Sequence, residues 1–377
     1  MNPEYERTER GENRKKSVRT RKRTGNLVAI IFLSVICLVA LSFCVFLMLR
    51  IEVMKDDEVQ MKTSVDRLNN IESAGYITNA DALQRIQDER AQAEQEATDT
   101  LLEYIRSSYR NGNSSVWMLR NLFGTFANEL VVGSGGSFYF FPIDDTLKKA
   151  FVSPMDMQPD SDGRMRYVGA DPSVAGTLGV DVSRFQGKIN WEKVAADGVK
   201  FTFIRVGARG STEGKIIEDN QFEANIEGAL ENGLDVGVYF YTQAINEAEA
   251  IEEAEYVIEA LKPYTITLPV VFDFEPADTD DARTNDLSIE QNTANVLAFC
   301  SRVSEAGYTP MLYGGLKSFL MMLDTKQIEP LKKWFAFYDD TMYYPYEYSY
   351  WQYTAQGRVN GIEGDVDLDI CIENLAR

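Results

Sequence analysis

The sequence contains no histidine among its 377 residues, and this absence excludes several classes of enzyme. Histidine is the usual base of serine and cysteine hydrolases and the commonest zinc ligand, so standard triads and histidine–zinc sites are ruled out. Acid–base chemistry near neutral pH then falls chiefly to carboxyl groups with a raised pKa, as in glycosidases. The composition therefore favours sugar chemistry.

Cysteine is scarce, with four residues in the chain. Cys37 and Cys44 lie inside an apolar run, and pairing of Cys300 with Cys371 is not deducible from sequence. Phosphate-binding loops, dinucleotide-binding glycine motifs and cysteine metal sites are also missing. We therefore expect no cofactor and no metal.

The formal net charge is -20, yet the first twenty-five residues are rich in Arg and Lys. The acidic remainder of the chain would be repelled by polyanions, so we expect no nucleic-acid partner.

An uninterrupted apolar stretch runs from residue 27 to 49, long enough to cross a bilayer as a helix. It predicts a transmembrane segment at residues 26–50, preceded by a basic cytoplasmic tail at 1–25. A cleaved signal peptide fits less well, because the apolar core is too long and no small-residue cleavage site follows. By the positive-inside rule, the chain is expected to be a single-pass protein of the cell membrane with its catalytic part outside.

Residues 51–110 are polar and helix-favouring, which predicts an extracellular stalk of two helices with a break near Gly75. The apolar positions are irregular, so self-association as a coiled coil and a helical hairpin both stay open. Residues 111–175 combine an amphipathic run with a predicted hairpin, ELVVGSGGSFYFF, and are interpreted as a connector or small subdomain.

From residue 176 to 377 short apolar runs alternate with helical stretches, as in a β/α barrel. The predicted strands are LGVDVS, KFTFIRVG, DVGVYFYT, LPVVFDFE, YTPMLYGG, KWFAFYD, YSYWQYT and GDVDLDI. Long helices are evident only around Phe222–Glu231, Glu247–Leu261 and Ile289–Glu305. The fold class is thus α/β, an atypical barrel of eight strands with fewer helices.

The predicted strand LPVVFDFE is wholly apolar until it ends in Asp273 and Glu275. Residues two apart point the same way in a strand, and barrel active sites gather at the carboxyl ends of the strands. An arbitrary pair of acids there would merely solvate the next loop. At the rim of a buried strand, however, desolvation makes a raised pKa attainable.

Two further predicted strands bring carboxylates to the same place. Asp181 ends the first strand, and Asp365, Asp367 and Asp369 alternate along the last. Because the last strand of a closed barrel lies beside the first, Asp367 and Asp181 are expected to be neighbours. Repulsion in such a cluster would make one carboxyl hold its proton.

Aromatic residues crowd the ends of the predicted strands, where they suit sugar rings, although about half of them are expected to be core. Tyr239 and Trp351 are the two we expect in the cleft, with Tyr241 also at a strand end.

The segments GVDVSRFQGKINWEKVAADGVKFTFIRVG, GVYFY, VVFDFEP and YWQYTAQGRVNGIEGDVDLDI closely resemble glycoside hydrolase family 25, the lysozyme-like muramidases. The resemblance implies a flattened β/α barrel and cleavage of the β-1,4 bond between N-acetylmuramic acid and N-acetylglucosamine. Its conserved acids fall on Asp181, Asp273, Glu275 and Asp367, and its cleft tyrosine on Tyr239. It implies that Glu275 donates the proton and that Asp273 steadies the acetamido group or the developing oxocarbenium.

Many members of that family carry histidine where this chain has Arg184 and Phe240. Arg184 is a candidate for the lactyl or peptide carboxylate of the substrate, although a loop salt bridge is the simpler role. Two functions stay open: a muramidase tethered to the cell surface that acts on peptidoglycan, and a catalytically silent wall-binding scaffold.

Overall fold

The computed structural model describes residues 46–48, 50, 55, 61–62, 79–111, 114–277 and 279–374. Within these residues no helix is both long and apolar enough to cross a bilayer. The basic tail, nearly all of the predicted span at 27–49 and the first stalk helix lie outside them. The chain divides into two units, and the boundary follows Ser107.

The helices are α1 Asn79–Arg110, α2 Ser115–Phe126, α3 Trp191–Ala196, α4 Phe222–Glu231, α5 Glu247–Leu261, α6 Ile289–Glu305 and α7 Thr325–Ile328. The strands are β1 Glu129–Ser134, β2 Ser137–Pro142, β3 Met157–Pro159, β4 Met165–Tyr167, β5 Val174–Val182, β6 Phe201–Arg209, β7 Ile216–Glu218, β8 Asp235–Tyr241, β9 Val270–Asp273, β10 Pro310–Gly315, β11 Lys332–Ala336, β12 Tyr350–Gly357 and β13 Val366–Asn374.

Helix α1 is exposed on nearly every side and begins at Asn79, close to the predicted start of the second stalk helix. Side chains four residues apart stabilise it, as in the pairs Gln84–Asp88 and Arg90–Glu94. Helix α1 thus covers residues 79–110 of the predicted stalk.

Nine strands form one sheet, and the pairing of β5 with β6 closes eight of them into a barrel. The strands β5, β6 and β8 to β12 run parallel to one another, whereas β13 is antiparallel to both β12 and β5. The short β7 pairs with the end of β6 as a hairpin. The eight-stranded α/β barrel predicted from the sequence is confirmed.

Aromatic side chains fill the barrel interior because the strands carry large residues at alternate positions. Trp334 stacks on Phe203 at 4.6 Å between ring centroids and contacts Tyr313 at 4.4 Å. Because the interior is filled, an active site is expected at the mouth of the barrel, the end where β5, β6 and β8 to β12 terminate.

Helices α3 to α7 cover part of the outer face, and a different element covers the rest. Residues 337–349, all of them described, connect β11 to β12 without a helix. This strap instead packs tyrosines on the barrel, as where the ring of Tyr344 stacks on Phe335 at 4.2 Å. Buried residues from the segment 111–175, which precedes the barrel in sequence, also pack in this outer layer, among them Leu147, Met157 and Met165.

The predicted boundary at residue 176 therefore does not separate two packed bodies. Residues 108–377 form one compact unit, and residues 111–175 supply part of its core. The predicted hairpin of β1 and β2 is present, with Glu129 opposite Pro142.

Candidate active site

The mouth gathers carboxylates from three strands. Asp181 lies near the end of β5, Asp273 is the last residue of β9, and Asp367 is the second residue of β13. Asp367 is the register partner of Asp181. The two can be neighbours because β13 runs antiparallel, which brings its first residues to the end where the parallel strands terminate.

Asp181 is buried, and its Oδ2 accepts a hydrogen bond from Gln352 Nε2 at 2.6 Å. Burial raises its pKa well above the ordinary value, and the negative charges of Asp367 and Asp369 raise it further. Burial likewise raises the pKa of Asp367 to about 6. The cluster therefore retains protons at pH values where exposed aspartates are ionised.

Asp369 is a further member that sequence reasoning did not select. It is fully buried, and its Oδ1 accepts a hydrogen bond from Trp334 Nε1 at 2.8 Å. Burial is the largest cause of its raised pKa, followed by the charge of Asp367. The alternation along GDVDLDI was the available signal, but it could not separate Asp369 from Asp365, which pairs with Arg358 at the surface.

Gln352 links Asp181 to two tyrosines, and sequence reasoning missed it too. Its Oε1 accepts hydrogen bonds from the hydroxyls of Tyr313 at 2.7 Å and Tyr338 at 2.8 Å. A buried amide in the otherwise aromatic run YWQY was the signal, since a buried polar group needs partners. The network fixes the orientation of Asp181.

Asp273 and Glu275 form the second carboxylate pair, in a geometry that differs from the prediction. Strand β9 ends at Asp273, so Glu275 stands in the following loop rather than on the strand face. Asp273 is 4% exposed, whereas Glu275 is exposed. Burial raises the pKa of Asp273 well above its usual range, and the negative charge of Glu275 and a hydrogen bond with it raise it further.

Arg205 opposes this effect and was also missed by sequence reasoning. Its positive charge lowers the pKa of Asp273, although less than burial and Glu275 raise it. Its Nε donates to Asp219 Oδ2 at 2.8 Å, and the same oxygen accepts the backbone N–H of Arg184 at 3.0 Å. Asp219 thus holds the cation at the mouth.

Tyr239 on β8 lies close enough to Asp181 and Asp273 for their charges to act on its hydroxyl. It is 9% exposed, and burial raises the pKa of its hydroxyl, followed by the charge of Asp181. Tyr241 is two residues further along, opposite Asp273 in the sheet register, and its hydroxyl accepts a hydrogen bond from Gln243 at 3.3 Å.

Arg184 is exposed, and its guanidinium lies 5.3 Å from the centroid of the Phe185 ring. It forms no ion pair with another described residue, so the expected loop salt bridge is not seen there. Phe185 and Tyr338, exposed by 74% and 58%, are the large apolar rings at two lips of the mouth.

Trp351 requires a correction, because it does not line the cleft. Its neighbours Tyr350 and Gln352 face the barrel interior, so Trp351 points to the outer layer and is 0% exposed. Its Nε1 donates to the carbonyl of Phe337 at 2.8 Å. Strand alternation puts adjacent residues on opposite faces, and Trp351 belongs to the core.

A small, open pocket that is lined in part by Phe272 and Phe274 adjoins Glu275. Its lining includes the amides of Gln243, Asn292 and Asn295. No group of three acidic or cysteine side chains among the described residues is placed to hold a metal ion. No disulfide joins Cys300 to Cys371.

The sequence model of glycosyl hydrolases family 25 matches residues 180–362, which include Asp181, Asp273 and Glu275. Residues 180–362 form a glycosyl hydrolase family 25 domain. The resemblance predicted from the motifs is confirmed for this domain. Asp367 lies just beyond the match and joins the site through its register with Asp181.

The family 25 domain has lysozymes among its relatives. Lysozyme M1 of Streptomyces globisporus is 29% identical over 214 residues, covering 54% of this chain and 69% of that protein. The autolytic lysozyme of Clostridium acetobutylicum is 27% identical over 203 residues, which cover 52% of this chain and 56% of that protein. This chain therefore spans only part of the length of these relatives.

A similar solved structure is that of a bacterial lysozyme from Streptomyces coelicolor, with a TM-score of 0.43 and 25% identity over 52% of this chain and 91% of that chain. The family match and the lysozyme relatives support an enzyme, a glycoside hydrolase of the muramidase type.

Proposed function

We propose that the chain is a peptidoglycan hydrolase that cleaves the β-1,4 bond between N-acetylmuramic acid and N-acetylglucosamine. The observation that carries the proposal is the pair in which a buried Asp273 adjoins an exposed Glu275. The names of the relatives, lysozyme and autolytic lysozyme, support this substrate. The required chemistry is protonation of the leaving oxygen and stabilisation of an oxocarbenium-like transition state.

Glu275 and Asp273 would share the two principal roles. Because burial, the neighbouring charge and their mutual hydrogen bond raise the pKa of Asp273, the pair retains a proton at pH values where exposed carboxyl groups have lost theirs. Glu275 stands where the substrate arrives and delivers that proton to the leaving oxygen. Asp273, left negative within a water-poor site, then steadies the acetamido group or the developing positive charge.

Asp181 and Asp367 would tune this pair electrostatically, since the pKa of Asp181 is raised by burial, by the charge of Asp367 and, less strongly, by that of Asp273. Tyr239 and Tyr241 would contact the sugar, and Arg184 the lactyl or peptide carboxylate. These roles use carboxylates, tyrosines and one arginine, and none of them requires a cofactor.

The test is release of reducing ends from purified peptidoglycan by the purified chain, with product masses to identify the bond. Products that end in reducing N-acetylmuramic acid support the proposal. A folded chain that releases no reducing ends would reject it.

The second candidate is a wall-binding scaffold without catalysis, which the exposed rings of Phe185 and Tyr338 favour because aromatic faces bind sugars. Glycan binding without bond cleavage would select this function.

The location is part of the same proposal. The basic cluster before the apolar run at 27–49 supports a membrane anchor with the family 25 domain at the cell surface, and the stalk could serve self-association. Protease treatment of intact protoplasts should release the domain, and a domain protected until lysis would overturn this orientation.

A further inference from the structure

Residues 114–150 precede the family 25 domain and supply none of its acids, yet they contact an element of its mouth. That element is the strap, residues 337–349, which leaves the mouth end of β11 and runs down the outer face. Helix α2, strand β1 and the segment after β2 all bind it.

Several hydrogen bonds join the two segments. The backbone N–H of Val131 donates to the hydroxyl of Tyr343 at 2.9 Å, and the backbone N–H of Asp144 donates to that of Tyr346 at 2.8 Å. Two backbone bonds of 2.9 Å follow, from Ala150 N to Pro345 O and from Glu347 N to Lys148 O. Residues 345–347 of the strap are therefore joined to residues 148–150 by an isolated antiparallel β-bridge, and two tyrosine hydroxyls add further bonds.

The backbone of Phe337 in the upper strap is bonded to β12, through its N–H to the carbonyl of Gln352 and through its carbonyl to Trp351 Nε1, and a cation contacts its ring. The guanidinium of Arg120 on α2 lies 5.0 Å from the ring centroid of Phe337 and 5.1 Å from that of Tyr343. It is half-buried, and its Nε donates to the carbonyl of Val131 at 3.5 Å. A cation held between aromatic faces is bound more strongly as it is desolvated, so Arg120 fixes both rings.

Tyr338 follows Phe337 directly and belongs to the active site. Its hydroxyl donates to Gln352 Oε1, and Gln352 Nε2 donates to Asp181. Its ring is largely exposed at the lip of the mouth. A displacement of Phe337 would therefore move the ring of Tyr338 and loosen its bond to Gln352.

We propose that residues 114–150 are a positioning element for the substrate cleft, in which Arg120 fixes the strap so that Tyr338 forms a wall for a sugar ring of the glycan. The glycan as ligand rests on the proposed function, whereas the control of the strap does not. Arg120 is a positioning residue, because it acts through Phe337 and touches no reacting atom.

The test compares Arg120→Ala and Arg120→Lys with wild type in the full chain. A misplaced wall weakens binding more than chemistry, so Arg120→Ala should raise KM for glycan about 3- to 10-fold and change kcat less than about 2-fold. Arg120→Lys keeps a cation near the rings and should recover part of the loss. Arg302→Ala, which removes a surface pair with Glu255, is the matched control and should change neither constant.

Amide hydrogen exchange gives the readout that does not depend on activity. Arg120→Ala should speed exchange in residues 337–343 while exchange in the barrel strands stays as in wild type. Should Arg120→Ala fold poorly, Tyr343→Phe keeps the ring and removes only the hydroxyl that accepts from Val131, and a smaller effect in the same direction is expected.

Unchanged exchange in the strap would overturn the proposal, as would unchanged KM in an active enzyme. Faster exchange throughout the barrel, with kcat and stability falling together, would also overturn it, since that pattern marks a purely structural role. If wild type lacks hydrolase activity, the proposed function fails while exchange in the strap still decides this inference.

Discussion

Replacing Glu275 by glutamine should abolish most hydrolysis and at the same time stabilise the folded protein. The amide keeps the shape of the side chain but cannot deliver a proton. General acid catalysis contributes about 10²- to 10⁴-fold, so kcat should fall by that factor. Glycan binding should change little, because the exposed side chain keeps its size and polarity.

The stabilisation follows from the pKa of Asp273. The charge of Glu275 and its hydrogen bond raise that pKa, so the amide lets it fall towards the ordinary value and makes ionisation of buried Asp273 less costly. Each unit of pKa corresponds to about 1.4 kcal/mol. We therefore expect a higher Tm at pH 8, where about 1 kcal/mol would appear as a shift of roughly 2–4 °C in a domain of this size.

Reducing-end release and thermal unfolding at pH 8 measure the two effects on one preparation. Glu192→Gln on α3 is the matched control, an exposed glutamate outside the mouth, and should alter neither quantity. A Glu275→Gln protein that keeps more than about a tenth of the wild-type kcat would show that another group is the acid. A fall in Tm would refute the electrostatic argument for Asp273.

Three further predictions concern stability. Because burial raises the pKa of Asp181 and Asp369, their neutral forms favour the folded state. This stabilisation is full below about pH 4 and is lost as pH rises through the raised pKa values, so Tm should fall from pH 5 to pH 8. A Tm that stays constant or rises over this range would contradict the prediction. Trp351→Ala should lower the free energy of unfolding, measured with denaturant, by about 3–5 kcal/mol. Trp351→Phe should leave KM for glycan unchanged, and a raised KM would show that Trp351 lines the cleft. A chain of residues 176–377 should be less soluble and unfold at a lower temperature than residues 108–377, since it exposes core, and equal behaviour would restore the boundary at 176.

Much of the barrel followed from local pattern. Each run of apolar and β-branched residues became a strand, and the three predicted long helices match α4, α5 and α6 in their bounds. These elements are predictable because apolar periodicity and turn residues act over a few positions. The proximity of Asp367 and Asp181 followed from closure of the barrel alone.

Other features depended on orientations that local pattern does not contain. The face on which Trp351 lies depends on the register of β12, and a shift by one residue would exchange it with Gln352. The partners of Gln352 come from β10 and the strap, far apart in sequence. The contribution of residues 111–175 to the outer layer likewise depends on contacts with residues near 345.

The sequence by itself determined the class of chemistry, since it contains no histidine and ends buried strands in carboxylates. Only the tertiary structure decided which carboxyl groups are buried and therefore have a raised pKa. Asp273 and Glu275 are nearly adjacent in sequence, yet one is buried and the other exposed. Their difference arises from desolvation, which depends on every segment that packs around a side chain rather than on its neighbours along the chain.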